Sequence, residues 1–93
     1  MGSAIAHFQQ AITIDTALVK SLPERRLILG GNYCNLGNTQ KDLKEYAAAQ
    51  SSFRRSIEIL DEVHAESPSD GSAKRFLRNA MLGLARTLVA TSC

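Results

Sequence analysis

Residues 33–60, which read YCNLGNTQKDLKEYAAAQSSFRRSIEIL, decide the fold of this chain of 93 residues. Apolar side chains recur every three or four residues before Lys44 and again after Glu45, which predicts two helices at about residues 24–43 and 46–66. Lys44 and Glu45 leave room only for a tight connection, so the two helices are expected to be antiparallel neighbours. The two stripes are carried by Leu29, Tyr33, Leu36, Gln40 and Leu43, and then by Tyr46, Ala49, Phe53, Ile57, Leu60 and His64.

The same periodicity continues on both sides of this pair, and it predicts a first helix at about residues 3–21 and a fourth at about residues 72–91. No stretch alternates with a period of two over the length of a strand. With 44% apolar and 22% charged residues the composition is that of a folded protein, so residues 1–93 are predicted to form one all-α domain of four helices. Gly30 and Gly31 each lower helix propensity by roughly 1 kcal/mol relative to alanine, so fraying is expected near the start of the second helix.

The chain also matches itself. Residues 8–14, FQQAITI, align with residues 53–59, FRRSIEI, at an offset of 45 residues. Residues 36–39, LGNT, align with residues 84–87, LART, at an offset of 48 residues. Internal repetition at this period is typical of a stacked helical array, in which each repeat contacts its neighbours.

The order and spacing of the residues in the second and third helices resemble a tetratricopeptide repeat. Tyr33 stands three residues before the Leu36–Gly37 pair, and Tyr46 stands nine residues after Gly37. The match departs from the family where Gln40 replaces an aromatic residue and Asp61 replaces a proline. The helices are also longer than those of the usual repeat of about 34 residues. The positions that the resemblance assigns to repeat packing are Tyr33, Leu36, Gly37, Tyr46, Ala49, Phe53, Ser56 and Ile57.

The resemblance implies an α-solenoid, an antiparallel stack of helical hairpins. The second and third helices would form one complete repeat, with the first and fourth helices as half-repeats on either side. The longer helices are similar to long-period arrays in bacterial multi-repeat proteins, some of which follow a serine/threonine kinase domain. A second interpretation is therefore that the chain is a detached segment of such a signalling protein, although no kinase motif occurs in these residues.

The family binds peptides or protein segments in a concave groove lined by the first helix of each repeat, which implies a non-catalytic protein–protein interaction module. Carried over by position, the groove-facing residues are Gly31, Cys34, Asn38, Lys41 and Asp42 on the second helix and Asn79, Leu82, Arg86 and Val89 on the fourth. Some members clamp a partner's C-terminal carboxylate with an asparagine that Asn38 matches. Cys34 and Gly83 stand where that clamp needs a lysine and a second asparagine, so the clamp is expected to be incomplete.

Other classes of function find less support in the sequence. Cys34, His7 and His64 are scattered without a nucleophile motif or metal-ligand spacing, so neither catalysis nor a metal or cofactor is expected. A helical DNA-binding domain is a minor alternative, suggested by the basic residues at the start of the fourth helix. The net charge of +2 is too small to predict a nucleic-acid or membrane partner.

Two further expectations concern the cell and the ends of the stack. The chain has only two cysteines and no signal peptide, which favours a cytoplasmic location. The first helix lacks a hairpin partner, and the last stays apolar on one side through Leu88 and Val89. These two apolar faces are expected either to drive self-association of the chain or to leave it a weakly folded monomer.

Overall fold

The computed structural model describes residues 2–69 and 71–91. Over these residues it contains no strand and four α-helices, which are α1 (Gly2–Val19), α2 (Arg26–Asp42), α3 (Tyr46–Glu66) and α4 (Gly71–Thr91). The all-α fold of four helices is confirmed. None of the described helices is long and apolar enough to cross a membrane.

The segment between α1 and α2 differs from the sequence-based expectation. A 3₁₀ helix, Pro23–Arg25, precedes α2, so the α-helix starts at Arg26. The amide of Leu22 donates to the carbonyl of Leu18 at 2.7 Å and closes the last turn of α1. Proline fixes its own φ and has no amide hydrogen, which suits the first turn of a helical segment.

The four helices form two layers, with α2 and α4 in one and α1 and α3 in the other. Each helix contacts the next along the chain, and α2 also contacts α4, whereas no Cα atom of α1 lies within 8 Å of a Cα atom of α3 in the described residues. The Cα atoms extend over 40 × 26 × 15 Å, as expected for a flat stack two helices thick. This arrangement places the surface of α2 and α4 on one face of the molecule.

The side chain of Phe53 lies where α2, α3 and α4 meet. It is fully buried, and a Cβ atom added to Gly37 would lie 2.8 Å from its Cε1 atom. A Cβ atom added to Gly83 would lie only 2.4 Å from the same atom. Both α2 and α4 therefore contact the ring through backbone atoms. Each glycine is required because a side chain would have no space there, and not because its φ angle is unusual.

The expected fraying at Gly30 and Gly31 is wrong, because both glycines are buried inside α2. The hydroxyl of Ser56 donates to the carbonyl of Gly30 at 2.7 Å, and a Cβ atom at Gly30 would lie 2.6 Å from Cδ2 of Leu60. The missing side chains let α3 pack directly on the backbone of α2. Packing thus offsets the loss of helix propensity.

The two flanking helices show the pattern of half-repeats. Ile59 on α3 is 5% exposed, whereas Ile14, 45 residues earlier on α1, is 54% exposed. Gln40 on α2 is 6% exposed, whereas Leu88, 48 residues later on α4, is 41% exposed. The α2–α3 hairpin covers positions that remain open on α1 and α4, so the stack contains one complete hairpin with a half-repeat on each side.

Candidate functional site

A concave surface runs between α2 and α4. At one end it forms a cavity of about 180 Å³, which is polar over much of its wall. Five of the nine residues that the sequence assigned to a groove line this cavity. Lys41, Asp42 and Val89 line neither this cavity nor the one that adjoins it, and Nζ of Lys41 lies 3.9 Å from Oδ1 of Asp42. The lining residues are Cys34, Asn35, Asn38, Phe76, Asn79, Leu82, Gly83 and Arg86.

A second, more apolar cavity of about 200 Å³ adjoins the first. Asn35 and Phe76 line both cavities, so the two form one continuous depression, named the α2–α4 groove. The second cavity is lined by Leu27, Ile28, Gly31, Asn32, Asn35 and Phe76. The groove therefore has a polar end near Arg86 and an apolar end near Ile28.

Small residues in α2 and α4 set the depth of the groove. A Cβ atom at Gly31 would lie 3.6 Å from Cε1 of Phe76, so the ring of Phe76 covers the backbone of α2. Gly83 brings α4 onto the ring of Phe53 in the layer beneath. On α4, the side chains of Asn79 and Arg86 line the groove on the side opposite α2.

Cys34 lies at the floor of the polar end and is buried. Burial raises the pKa of its thiol, since the thiolate would be poorly solvated there. The side-chain amide of Asn38 lies 3.9 Å from the sulfur, a weak contact. A protonated, buried thiol is a poor nucleophile, which agrees with a packing role.

Comparison with protein-family models identifies the hairpin that carries the α2 side of the groove. The model of the tetratricopeptide repeat matches residues 31–59, which span most of α2 and α3. The chain carries a tetratricopeptide repeat. Comparison with curated proteins and comparison with solved structures each gave no significant match. Tetratricopeptide repeats are in general protein–protein interaction modules, and the family is typically non-catalytic.

The residues assigned to packing lie along the tetratricopeptide hairpin and vary in their burial. Tyr33, Tyr46 and Ile57 are half-buried. The other five assigned residues, Leu36, Gly37, Ala49, Phe53 and Ser56, are buried. Gln40, where the family usually has an aromatic residue, is also buried and accepts a hydrogen bond of 2.6 Å from the hydroxyl of Ser52. A polar pair thus occupies a place in the repeat that is usually apolar.

Charge is distributed unevenly between the two layers of the repeat stack. The helices α2 and α4 together carry six lysines and arginines against one aspartate, Asp42. The helices α1 and α3 carry two arginines against five acidic residues. On α3, Glu66 pairs with Arg26 at 2.6 Å and Glu58 pairs with Arg55 at 3.0 Å. The side that bears the groove is therefore the positive side of the molecule.

Two pKa shifts follow from one of these pairs. The hydrogen bond from Arg26 lowers the pKa of the Glu66 carboxyl, and the same bond raises the pKa of the Arg26 guanidinium. Arg86, in contrast, is exposed and makes no ion pair within the described part of the chain. It is therefore available to a ligand in the groove.

A buried carboxylate beneath the apolar end was missed by sequence reasoning. Asp15 accepts a hydrogen bond of 2.7 Å from Nδ2 of Asn32 and one of 3.2 Å from Nη2 of Arg25. It is buried and links α1 to the start of the tetratricopeptide repeat. The signal was present in the internal alignment, because Asp15 stands 45 residues before the fully buried Leu60.

The remaining titratable side chains of the described residues lack the grouping that a metal site needs. Among the described residues, no three histidine, cysteine, aspartate or glutamate side chains group closely enough to hold a metal ion. His7 packs edge-on against Phe8, with ring centroids 5.8 Å apart. The groove is thus the surface on which the chemistry of a ligand site converges.

Proposed function

We propose that the chain binds an extended segment of a partner protein in the α2–α4 groove. The observation that carries the proposal is the convergence of Cys34, Asn38, Asn79, Leu82 and Arg86 on one cavity. These residues come from two helices that are about 45 residues apart in sequence, and all five were assigned to the groove by position in the repeat. Concave sites with an apolar part and a few convergent polar groups are typical of ligand sites.

The proposed activity is binding without catalysis, in which the groove supplies recognition alone. Asn38 and Arg86 can donate hydrogen bonds to carbonyl or carboxylate oxygens of a bound segment. Leu82 offers apolar contact beside them. A cytoplasmic location and the membership of a longer signalling protein stay predictions, as does the minor alternative of DNA binding.

Selection from a displayed random-peptide library on the immobilised chain tests this proposal. Selected peptides should bind saturably in fluorescence polarisation. Asn38→Ala and Arg86→Ala should weaken binding, whereas Arg54→Ala, an exposed change on the opposite layer, should not. If Arg54→Ala weakens binding as much as the two groove variants do, the peptides bind elsewhere and the proposal is wrong.

We also propose that the open faces of α1 and α4 associate head to tail between copies of the chain. Ile14 is exposed where its counterpart Ile59 is buried, and Leu88 is exposed where its counterpart Gln40 is buried. The α4 helix of one copy and the α1 helix of the next would thus form a hairpin like that of α2 and α3. Sedimentation should show a mass that rises with concentration and falls in Ile14→Glu. A single monomeric mass at every concentration would contradict self-association.

A further inference from the structure

Asparagine is confined to one surface of this molecule. The sequence contains four asparagines, Asn32, Asn35, Asn38 and Asn79, and all four line the α2–α4 groove. Asn32 donates a hydrogen bond to Asp15, whereas Asn35 and Asn79 are exposed. Within the part of the chain that the structure describes, Asn38 makes only its weak contact with Cys34. A carboxamide both donates and accepts hydrogen bonds, so it can pair with a peptide group of an extended chain.

The two ends of the groove favour different side chains in a bound protein segment. Ile28 is exposed at the apolar end, beside Leu27 and the ring of Phe76. Among the described residues, no acidic side chain lines either cavity, while the exposed residue Arg86 lies at the polar end. An apolar side chain suits the first end, and an acidic side chain suits the second.

The distance between the ends sets the spacing of those side chains. Ten residues of α2 separate Ile28 at the apolar end from Asn38 at the polar end, which corresponds to about 15 Å along the helix. An extended segment advances about 3.3 Å per residue, so it covers this distance in four or five residues. We infer that the groove recognises an extended protein segment with an apolar side chain and, four or five residues away, an acidic side chain.

This inference rests on the proposed function and specifies the chemistry of the partner. The positive charge of the α2 and α4 layer favours an acidic segment over a basic one, and it also raises the local concentration of such a segment. A nucleic acid fits less well, because Arg86 is the one cation among the described residues that line the groove and the adjoining cavity is apolar. The acidic group comes from a side chain rather than a chain terminus, since the carboxylate clamp lacks its lysine at Cys34.

Three baits in the library selection test the inference, namely the wild-type chain, Arg86→Glu and Arg54→Glu. The displayed peptides are joined to the coat protein through their C-termini, so no free terminal carboxylate is offered. Wild type and Arg54→Glu should enrich peptides with an aspartate or glutamate four or five residues from a large apolar residue. Arg86→Glu should lose the acidic preference. Circular dichroism establishes that each bait is folded.

Binding constants for a selected peptide complete the test. Replacing its acidic residue by the matching amide should weaken binding to wild type about tenfold at low salt, the effect of one charge-assisted hydrogen bond. The same replacement should leave binding to Arg86→Glu unweakened. Equal weakening in both chains would show that the acidic residue contacts some other group, and the inference would be wrong.

The remaining outcomes separate the inference from the proposed function. Saturable groove-binding peptides without an acidic preference would overturn the inference and leave the proposed function intact. If the folded chain selects no peptide, the proposed function itself fails. If a short DNA duplex displaces the peptides and its binding depends on Arg86, the positive layer binds nucleic acid and the inference is overturned.

Discussion

Replacing Gly83 by alanine should destabilise the chain, even though alanine is the better helix former. Gly83 lies within α4, and a methyl group there would lie 2.4 Å from Cε1 of Phe53. Carbon atoms in good contact are about 3.5–4.0 Å apart, so the helix or the ring must shift by about 1 Å. The ring is fully buried, and Gly37 borders the same ring atoms. The ring therefore has no free space into which to move.

The expected magnitude is the difference between two opposing effects. Alanine in place of glycine stabilises a helix interior by about 0.5–1 kcal/mol. Overpacking a well-packed core costs about 1–3 kcal/mol, and a contact this short belongs at the upper end of that range. The free energy of unfolding should thus fall by about 2 kcal/mol. For a domain of this size that lowers Tm by roughly 8–16 °C.

Gly31→Ala is the matched control, because Gly31 is also a buried glycine inside a helix. Its added methyl group would lie 3.6 Å from Phe76, an ordinary contact. This variant should therefore gain about 0.5–1 kcal/mol from helix propensity alone. Thermal and urea unfolding followed by circular dichroism measure both variants against wild type.

The double variant Gly83→Ala with Phe53→Leu checks that the ring causes the loss. Leucine vacates the space around Cε1, so the two changes should couple favourably by about 1–2 kcal/mol in a double-mutant cycle. If Gly83→Ala raises Tm as Gly31→Ala does, then α4 does not approach Phe53 as closely as described. The packing account of the groove would then be refuted.

Three further perturbations probe buried polar groups. Ser56→Ala should cost about 1–2 kcal/mol in urea unfolding, because the carbonyl of Gly30 loses its buried hydrogen bond. Asp15→Ala should cost about 1–3 kcal/mol in the same assay, since Asn32 is left without its buried acceptor. Burial raises the pKa of the Cys34 thiol, so the unfolded chain loses that proton first as pH rises. The urea midpoint should therefore fall above about pH 8.5, and Cys34→Ala should reduce that fall.

Neighbouring positions on α3 supply the controls for these variants. Ser51 and Asp61 are exposed, so Ser51→Ala and Asp61→Ala should each change the free energy of unfolding by less than about 0.5 kcal/mol. If Ser56→Ala matches Ser51→Ala, the hydrogen bond to Gly30 contributes nothing. A loss in Asp15→Ala no larger than that in Asp61→Ala would show that the buried carboxylate is not a link. If the urea midpoint falls with rising pH as much in Cys34→Ala as in wild type, groups other than the Cys34 thiol cause that fall.

Local periodicity was enough to predict the four helices and the central hairpin. The spacing of Tyr33, Gly37 and Phe53 encodes the crossing of α2 and α3, because side chains three or four residues apart share one face of a helix. The close contact between Gly37 and Phe53 is the result. The self-alignment at offsets of 45 and 48 residues likewise indicated that α1 and α4 are half-repeats.

Features that depend on a third helix could not be predicted in this way. From the sequence, Gly83 was noted only because it stands where a carboxylate clamp needs an asparagine. In the structure, the absence of a side chain at Gly83 lets α4 pack against the ring of Phe53. The sequence predicted fraying of α2 at Gly30 and Gly31, whereas the side chains of Leu60 and Phe76 cover these glycines in the structure. Both errors have one cause. Helix propensity describes a single helix, whereas a small residue at a crossing is stabilised by a side chain far away in sequence.

The groove itself was only partly visible in the sequence. Residue types and repeat position brought together Cys34, Asn38 and Arg86, but not the apolar end at Ile28 and Phe76. That end lies beside Gly31, where the ring of Phe76 covers the backbone of α2, and this contact between two helices is a property of the packed stack. Lys41 was assigned to the groove by the same reasoning and is not among the residues that line its two cavities.

Side-chain amide resonances test the central account most directly. In a chain labelled with ¹⁵N at asparagine and glutamine, all four asparagines report on the groove, whereas Gln9 and Gln10 report on the exposed surface of α1. Titration with a peptide from the selection should shift the asparagine signals of Asn35, Asn38 and Asn79 and leave those of Gln9 and Gln10 in place. Saturable shifts confined to Gln9 and Gln10 would place the binding surface on the other layer, and the groove would not be the site.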